Sequence, residues 1–99
     1  MTKKSSTAAH YFPFRAKDWR SSESVALMSL AERGAFIDLL AVAWLSSEEP
    51  CTIPAGDSEI AALLRVPVAD WLPIAPRVLA EFDDTTSRGR LRNPKLWSE

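Results

Sequence analysis

S-L-A-E-R-G-A-F-I-D-L-L-A-V-A-W-L, from Ser29 to Leu45, decides how this chain folds. From Gly34 onward its only charged or strongly polar residue is Asp38. A surface helix shows one apolar stripe and one polar face. This stretch is apolar nearly all round, so neighbouring elements must cover it on most sides. It is too short to span a bilayer, which takes about 20 apolar residues. The sequence therefore predicts a central core helix in a small domain. Ser29 and Glu32 form the S-x-x-E capping box at its start. Ser46, Ser47, Glu48, Glu49 and Pro50 mark its end.

A length of 99 residues, 46% of them hydrophobic, suits one folded domain with a core of its own. Four tryptophans supply large core pieces, and Trp44 on the central helix is the one expected to be almost fully buried beneath the helices that follow. A single cysteine, Cys51, excludes an internal disulfide and any multi-cysteine zinc site. His10 is the only histidine, which leaves no basis for a histidine-built catalytic or metal cluster. With no signal-peptide core and no transmembrane run, the chain reads as cytoplasmic.

The formal net charge of −1 hides an asymmetry. Residues 1–20 carry Lys3, Lys4, Arg15, Lys17 and Arg20 against Asp18, a net of +4. Residues 21–87 carry Arg33, Arg65 and Arg77 against eleven acids, a net of −8. Residues 88–99 carry Arg88, Arg90, Arg92 and Lys95 against Glu99, a net of +3. Basic ends flank an acidic middle, and that pattern bears on partners more than the total does.

Working outward from the central helix, residues 1–9 read as an unstructured polar tail and residues 10–97 as the domain. H-Y-F-P-F-R-A-K-D-W, from His10 to Trp19, reads as an extended aromatic strap packed on the core, because Pro13 biases its predecessor toward extended backbone. Stacking of these aromatics on nucleic-acid bases is the rival reading. Residues 20–28 predict a short helix capped by Ser21 or Ser22, with Val25, Leu27 and Met28 inward. After the central helix, residues 51–54 form a short extended piece limited by Pro54. A second helix, Ser58 to about Arg65, is capped by Asp57 and buries Ile60, Ala61, Leu63 and Leu64. A third, from about Val68 to Glu81, is kinked at Pro76. Phe82–Thr86 and Arg90–Leu96 then pair around Ser87-Arg88-Gly89 as a hairpin. Period-2 geometry puts Arg90 and Arg92 on one face and Leu91 on the other.

This order of elements predicts a mainly α (α+β) fold. It is that of a winged helix-turn-helix with a C-terminal β-hairpin wing, preceded by the N-terminal aromatic strap.

Four stretches also carry a resemblance. Y-F-P-F-R-A-K-D-W is similar to Y-[YF]-P-[FL]-x-x-x-D-[WY]. L-A-E-R-G-A-F-I-D-L-L-A-V-A-W is similar to L-x-x-E-x-G-A-Y-x-x-L-L-x-x-x-W. The spacing of Trp71, Pro76, Val78, Leu79 and Phe82, and the closing G-R-L-R-N-P-K-L, follow the same pattern. In these the chain resembles the YdaU-like family of phage and prophage proteins, over roughly residues 10–97. The resemblance implies a winged-helix-like fold and a replication-region setting, with no known reaction.

The chemistry-bearing residues give few leads. The acid pairs Glu48-Glu49, Asp83-Asp84 and Asp57 with Glu59 fall in loops and caps, where solvated carboxylates are ordinary. Asp38 reads as a surface acid or the partner of Arg15, Lys17 or Arg33. No phosphate-binding glycine loop, nucleophile elbow or metal spacing is present in the sequence. The sequence thus predicts a non-enzyme without cofactor, metal, membrane or small-molecule substrate. Arg88, Arg90, Arg92 and Lys95 on the wing, with Arg15 and Lys17 on the N-terminal arm, are the candidate contacts to double-stranded DNA. The third helix is a poor base reader, since its Asp70 and Glu81 oppose phosphate. The competing expectation is an adaptor for phage or host replication proteins.

Overall fold

In the computed structural model, residues 14–46, 51–83 and 89–93 are described. They form α1 (Ala16–Ser21), α2 (Glu23–Ala26), α3 (Leu30–Trp44), β1 (Thr52–Pro54), α4 (Asp57–Leu64), α5 (Val68–Trp71), α6 (Ala75–Leu79) and β2 (Arg90–Arg92). The architecture is mainly helical with one small antiparallel sheet. The polar tail, the strap up to Pro13, the acids Glu48 and Glu49, and the hairpin residues 84–88 and 94–96 lie outside the described residues.

The central helix starts where its capping box predicts. Ser29 Oγ accepts the Glu32 N–H at 3.1 Å, and Glu32 Oε1 accepts the Ser29 N–H at 2.7 Å. The helix buries Ala35, Phe36, Leu39, Leu40 and Ala43. α4, α6 and β1 pack against it. Its cover is less complete than the composition suggests. Leu30 is 77% exposed, Leu45 is exposed at the other end, and Gly34 faces open space.

The front of the domain differs from an extended strap. Residues 16–21 are helical, and only Phe14 and Arg15 remain non-helical among the described strap residues. The Pro13 restriction acts on its predecessor alone and leaves the backbone beyond it free to coil. The rings nevertheless pack as a series. Phe14 lies 5.5 Å from Trp19, Trp19 stacks on Phe36 at 5.6 Å, and Phe36 meets Phe82 edge-on at 6.2 Å. In α2, Ser22 supplies the cap, with its Oγ accepting the Val25 N–H at 3.3 Å. Val25 and Met28 turn inward, whereas Leu27 turns out to solvent.

α4 closes in a Schellman turn, in which Val66 N–H reaches Ala61 O and Arg65 N–H reaches Ala62 O, both at 3.1 Å. Arg65 takes the left-handed conformation there, at φ 63°. Ile60 and Ala61 are buried and Leu63 is exposed, so the stripe on α4 is narrower than its sequence suggests. Beyond it, the single kinked helix expected from Val68 to Glu81 is two short ones. Pro73 and Pro76 both lack an N–H, so an α-helix through this region would lose two of its bonds. The chain tightens instead, with Ile74 N–H bonding Trp71 O and Ala75 N–H bonding Leu72 O, and Pro76 enters the first turn of α6.

Among the described residues the buried tryptophan is Trp71, fully enclosed at the end of α5, and not Trp44, which is only half-buried. Asp57 does not cap α4: Gly56 holds the N-cap position, Asp57 is the first helical residue, and its Oδ1 accepts the Trp71 indole N–H at 2.9 Å. In the sheet, Thr52, Ile53 and Pro54 face Arg92, Leu91 and Arg90. β2 thus takes β1 as its partner. Of the expected hairpin, the described residues contain one rung, a pair of 2.8 Å bonds between Asp83 and Arg92. Asn93 is buried, and its Nδ2 donates to Glu81 O at 3.1 Å, tying the strand end to the segment after α6.

Trp71→Ala should cost about 3–5 kcal/mol and Trp44→Ala clearly less. A domain of this size holds only about 5–15 kcal/mol in all. Urea unfolding of the two variants beside the parent checks this, and equal costs would contradict the assignment.

Candidate functional site

Two surfaces come forward, one cationic and one apolar. On the sheet, the register places Arg90 and Arg92 on the same face, with Leu91 turned to the core. Arg90 is not a freely extended cation. Its Nε donates to Thr52 Oγ1 at 2.9 Å, and its Nη2 lies 3.3 Å from Thr52 O and 3.5 Å from Ser46 Oγ. The guanidinium thereby satisfies the hydroxyl of a fully buried threonine and ties the sheet to the end of α3. Arg92 is half-buried beside Cys51 and keeps its backbone bonds to Asp83. Arg88 and Lys95 lie outside the described residues. At the front of the chain, Arg15 just before α1 and Lys17 and Arg20 on it are exposed.

Of the six candidate cations, the structure therefore brings Arg90 and Arg92 together and keeps Arg15 and Lys17 on a separate element. The role of Arg90 as a strut was not legible in the sequence, because nothing in R-L-R marks Thr52 as its partner. Burial raises the pKa of the Cys51 thiol, and the nearby Arg92 cation opposes that shift. Cys51 is also left-handed, at φ 62°, with its carbonyl held by Asn93 N–H at 3.1 Å.

The apolar surface surrounds the turn from α4 to α5. Leu63, Val66, Val68 and Leu72 are all exposed, Leu72 by 49%. Val68 and Leu72 stand four residues apart, so they share one helical side. Ala69 and Asp70 are the other exposed side chains of α5, and that helix carries no cation. Arg77 on α6 is partly committed, with its Nε 3.7 Å from Glu32 Oε1.

Asp57 and Glu59 are exposed in the first turn of α4. Asp38 is half-buried with no ion pair or hydrogen bond among the described residues, and Arg33, one of the three partners expected for it, donates instead to Met28 O at 2.9 Å. No group of three His, Cys, Asp or Glu among the described residues could hold a metal ion, and no helix there is long and apolar enough to cross a membrane.

A family model described as "Protein of unknown function (DUF1376)" matches residues 10–99. The chain belongs to that family. No curated protein and no solved structure matches it.

Two measurements follow from the sheet. Arg90→Gln should cost about 1.5–3 kcal/mol, the worth of a hydrogen bond to a charged group, while Lys17→Gln should stay within about 0.5 kcal/mol of the parent. Thermal melts of both variants check the contrast. The folded chain holds the Cys51 thiol protonated at pH values where the unfolded chain releases the proton. Its contribution to stability is therefore full below the unfolded pKa and is lost as pH rises toward the folded one. Alkylation of native Cys51 at mildly alkaline pH should accordingly run slower than in urea.

Proposed function

We propose that this chain is a winged-helix-like docking module, an adaptor that recruits replication proteins of a phage or its host. The element order supports the winged-helix part, with β2 lying between β1 and the Asp83 rung. The observation that carries the function is the exposed apolar surface of Leu63, Val66, Val68 and Leu72. In a helix-turn-helix reader, the second helix meets base edges with Arg, Lys, Asn, Gln or Ser. Here that position offers valine, alanine, aspartate and leucine, a set that repels phosphate and suits burial against another protein. The YdaU-like resemblance supplies the replication setting, and no catalytic step is part of this reading.

Duplex DNA is the second reading, favoured by the shared face of Arg90 and Arg92 and by the basic ends. Contacts from Arg88, Arg90, Arg92 and Lys95 would neutralise about four phosphates, giving a log–log salt slope near −3.6. Arg15 and Lys17 on the N-terminal arm would steepen it.

Calorimetric titration against a purified replicative helicase, its loader and its initiator separates the readings, run beside a duplex DNA titration at two salt concentrations. The docking reading expects saturable binding to one of these proteins, with Val68→Asp/Leu72→Asp losing it while keeping the parent's melting temperature. It also expects a duplex slope well short of −3.6. Undiminished protein binding by the double variant would remove the α4–α5 surface from the docking reading, and the full slope with no protein bound would put DNA in front.

A further inference from the structure

We propose that the side of α3 turned away from the core pairs with the same side of a second copy of this chain, the two helices running parallel. The surface is separate from the α4–α5 turn and does not rest on the docking reading.

The side of α3 that carries Phe36, Leu39 and Ala43 is buried in the core. On its other side Leu30, Gly34, Ile37 and Ala41 follow one another at intervals of four, three and four. That is the spacing of a coiled-coil seam. Leu30 is 77% exposed, Gly34 is exposed, and Ile37 and Ala41 are only half-buried. Trp44, next in the series, packs on the core and ends the seam. An apolar stripe left toward water gains from a partner that covers it. Gly34 points the same way. A glycine weakens a helix interior. Yet a Cβ at Gly34 would meet no described residue within 4 Å beyond its own helix, so nothing within the chain requires its absence. A missing Cβ permits the close approach of another backbone.

The flanking charges select the occupant and its direction. Arg33 precedes Gly34 and Asp38 follows Ile37, so they stand on opposite flanks of the seam, five residues apart. A parallel second copy sets each Arg33 beside the partner's Asp38, because flanking positions at that offset meet across a parallel seam. An antiparallel copy would set acid with acid on one flank and arginine with arginine on the other. Asp38 has no ion pair or hydrogen bond among the described residues, and Arg33 uses one N–H on Met28 O and keeps the others.

The test is sedimentation equilibrium of the full chain from about 5 to 500 µM, a range suited to so short a seam. We expect a reversible monomer–dimer equilibrium. Gly34→Glu puts a carboxylate into the seam of both copies, so it should stay monomeric while melting no lower than the parent at the dilute end. Asp38→Lys should weaken pairing about tenfold, and Arg33→Glu/Asp38→Lys should recover it. Oxidised Leu30→Cys should give a disulfide dimer joined through residue 30 in each copy, which an antiparallel pair would hold apart. Val68→Asp/Leu72→Asp should pair as the parent does. The proposal fails if the parent is monomeric at the highest concentration, if folded Gly34→Glu pairs undiminished, if Leu30→Cys forms no such bond, or if Val68→Asp/Leu72→Asp abolishes pairing.

Discussion

The Trp71 indole N–H has one acceptor, Asp57 Oδ1, and the packing of the domain depends on that pairing. Trp71 is fully buried, so its N–H must be satisfied within the protein or pay the cost of a desolvated donor. Asp57 opens α4 and Trp71 closes α5, so one bond fixes the two helices across the turn between them. Leu39, Ala43, Ile60 and Val78 are enclosed in the same core. An aspartate in the first turn of α4 thus serves tertiary structure, and α4, with Gly56 at its N-cap, begins without a side-chain cap of its own.

That substitution of roles explains where sequence reading succeeded. The bounds of α3 were legible because Ser29 and Glu32 act on backbone groups only three residues away, and local geometry decides such bonds. The choice between Trp44 and Trp71 was not legible. Both tryptophans sit among apolar neighbours, and only the fold determines which is enclosed. The break at Leu72–Ile74 was half legible. Pro73 and Pro76 announce lost hydrogen bonds, but whether a helix kinks or divides depends on what packs against it. α1 was missed because four aromatics close to Pro13 read as extended chain, while A-K-D-W-R-S carries no strong helix signal of its own.

The cationic surface shows the same division. The period of two placed Arg90 and Arg92 on one face of a strand correctly. It could not say that this face lies against Thr52, since the pairing of β1 with β2 joins segments remote in sequence. Arg90 is consequently both a charge and a structural member, with Thr52 and Ser46 around it. The apolar residues at the α4–α5 turn had the opposite fate. Leu63 was assigned to the core by its spacing on a helix, yet it is exposed, as are Val66, Val68 and Leu72 around the same turn.

The remote pairing of β1 also constrains how the chain can be made. Thr52 and Arg90 are 38 residues apart. At ribosomal rates of about 5–20 residues per second, β1 emerges roughly 2–8 seconds before the strand that completes it. Through that interval the Thr52 hydroxyl lacks its guanidinium and the β1 edge lacks its ladder. An open strand edge is a template for pairing with other chains. Pro54 at the end of β1 withholds one donor from such an edge, and only three residues offer themselves to it. A strand this brief is safe to leave waiting on a nascent chain, where a longer one would invite aggregation before its proper partner arrived.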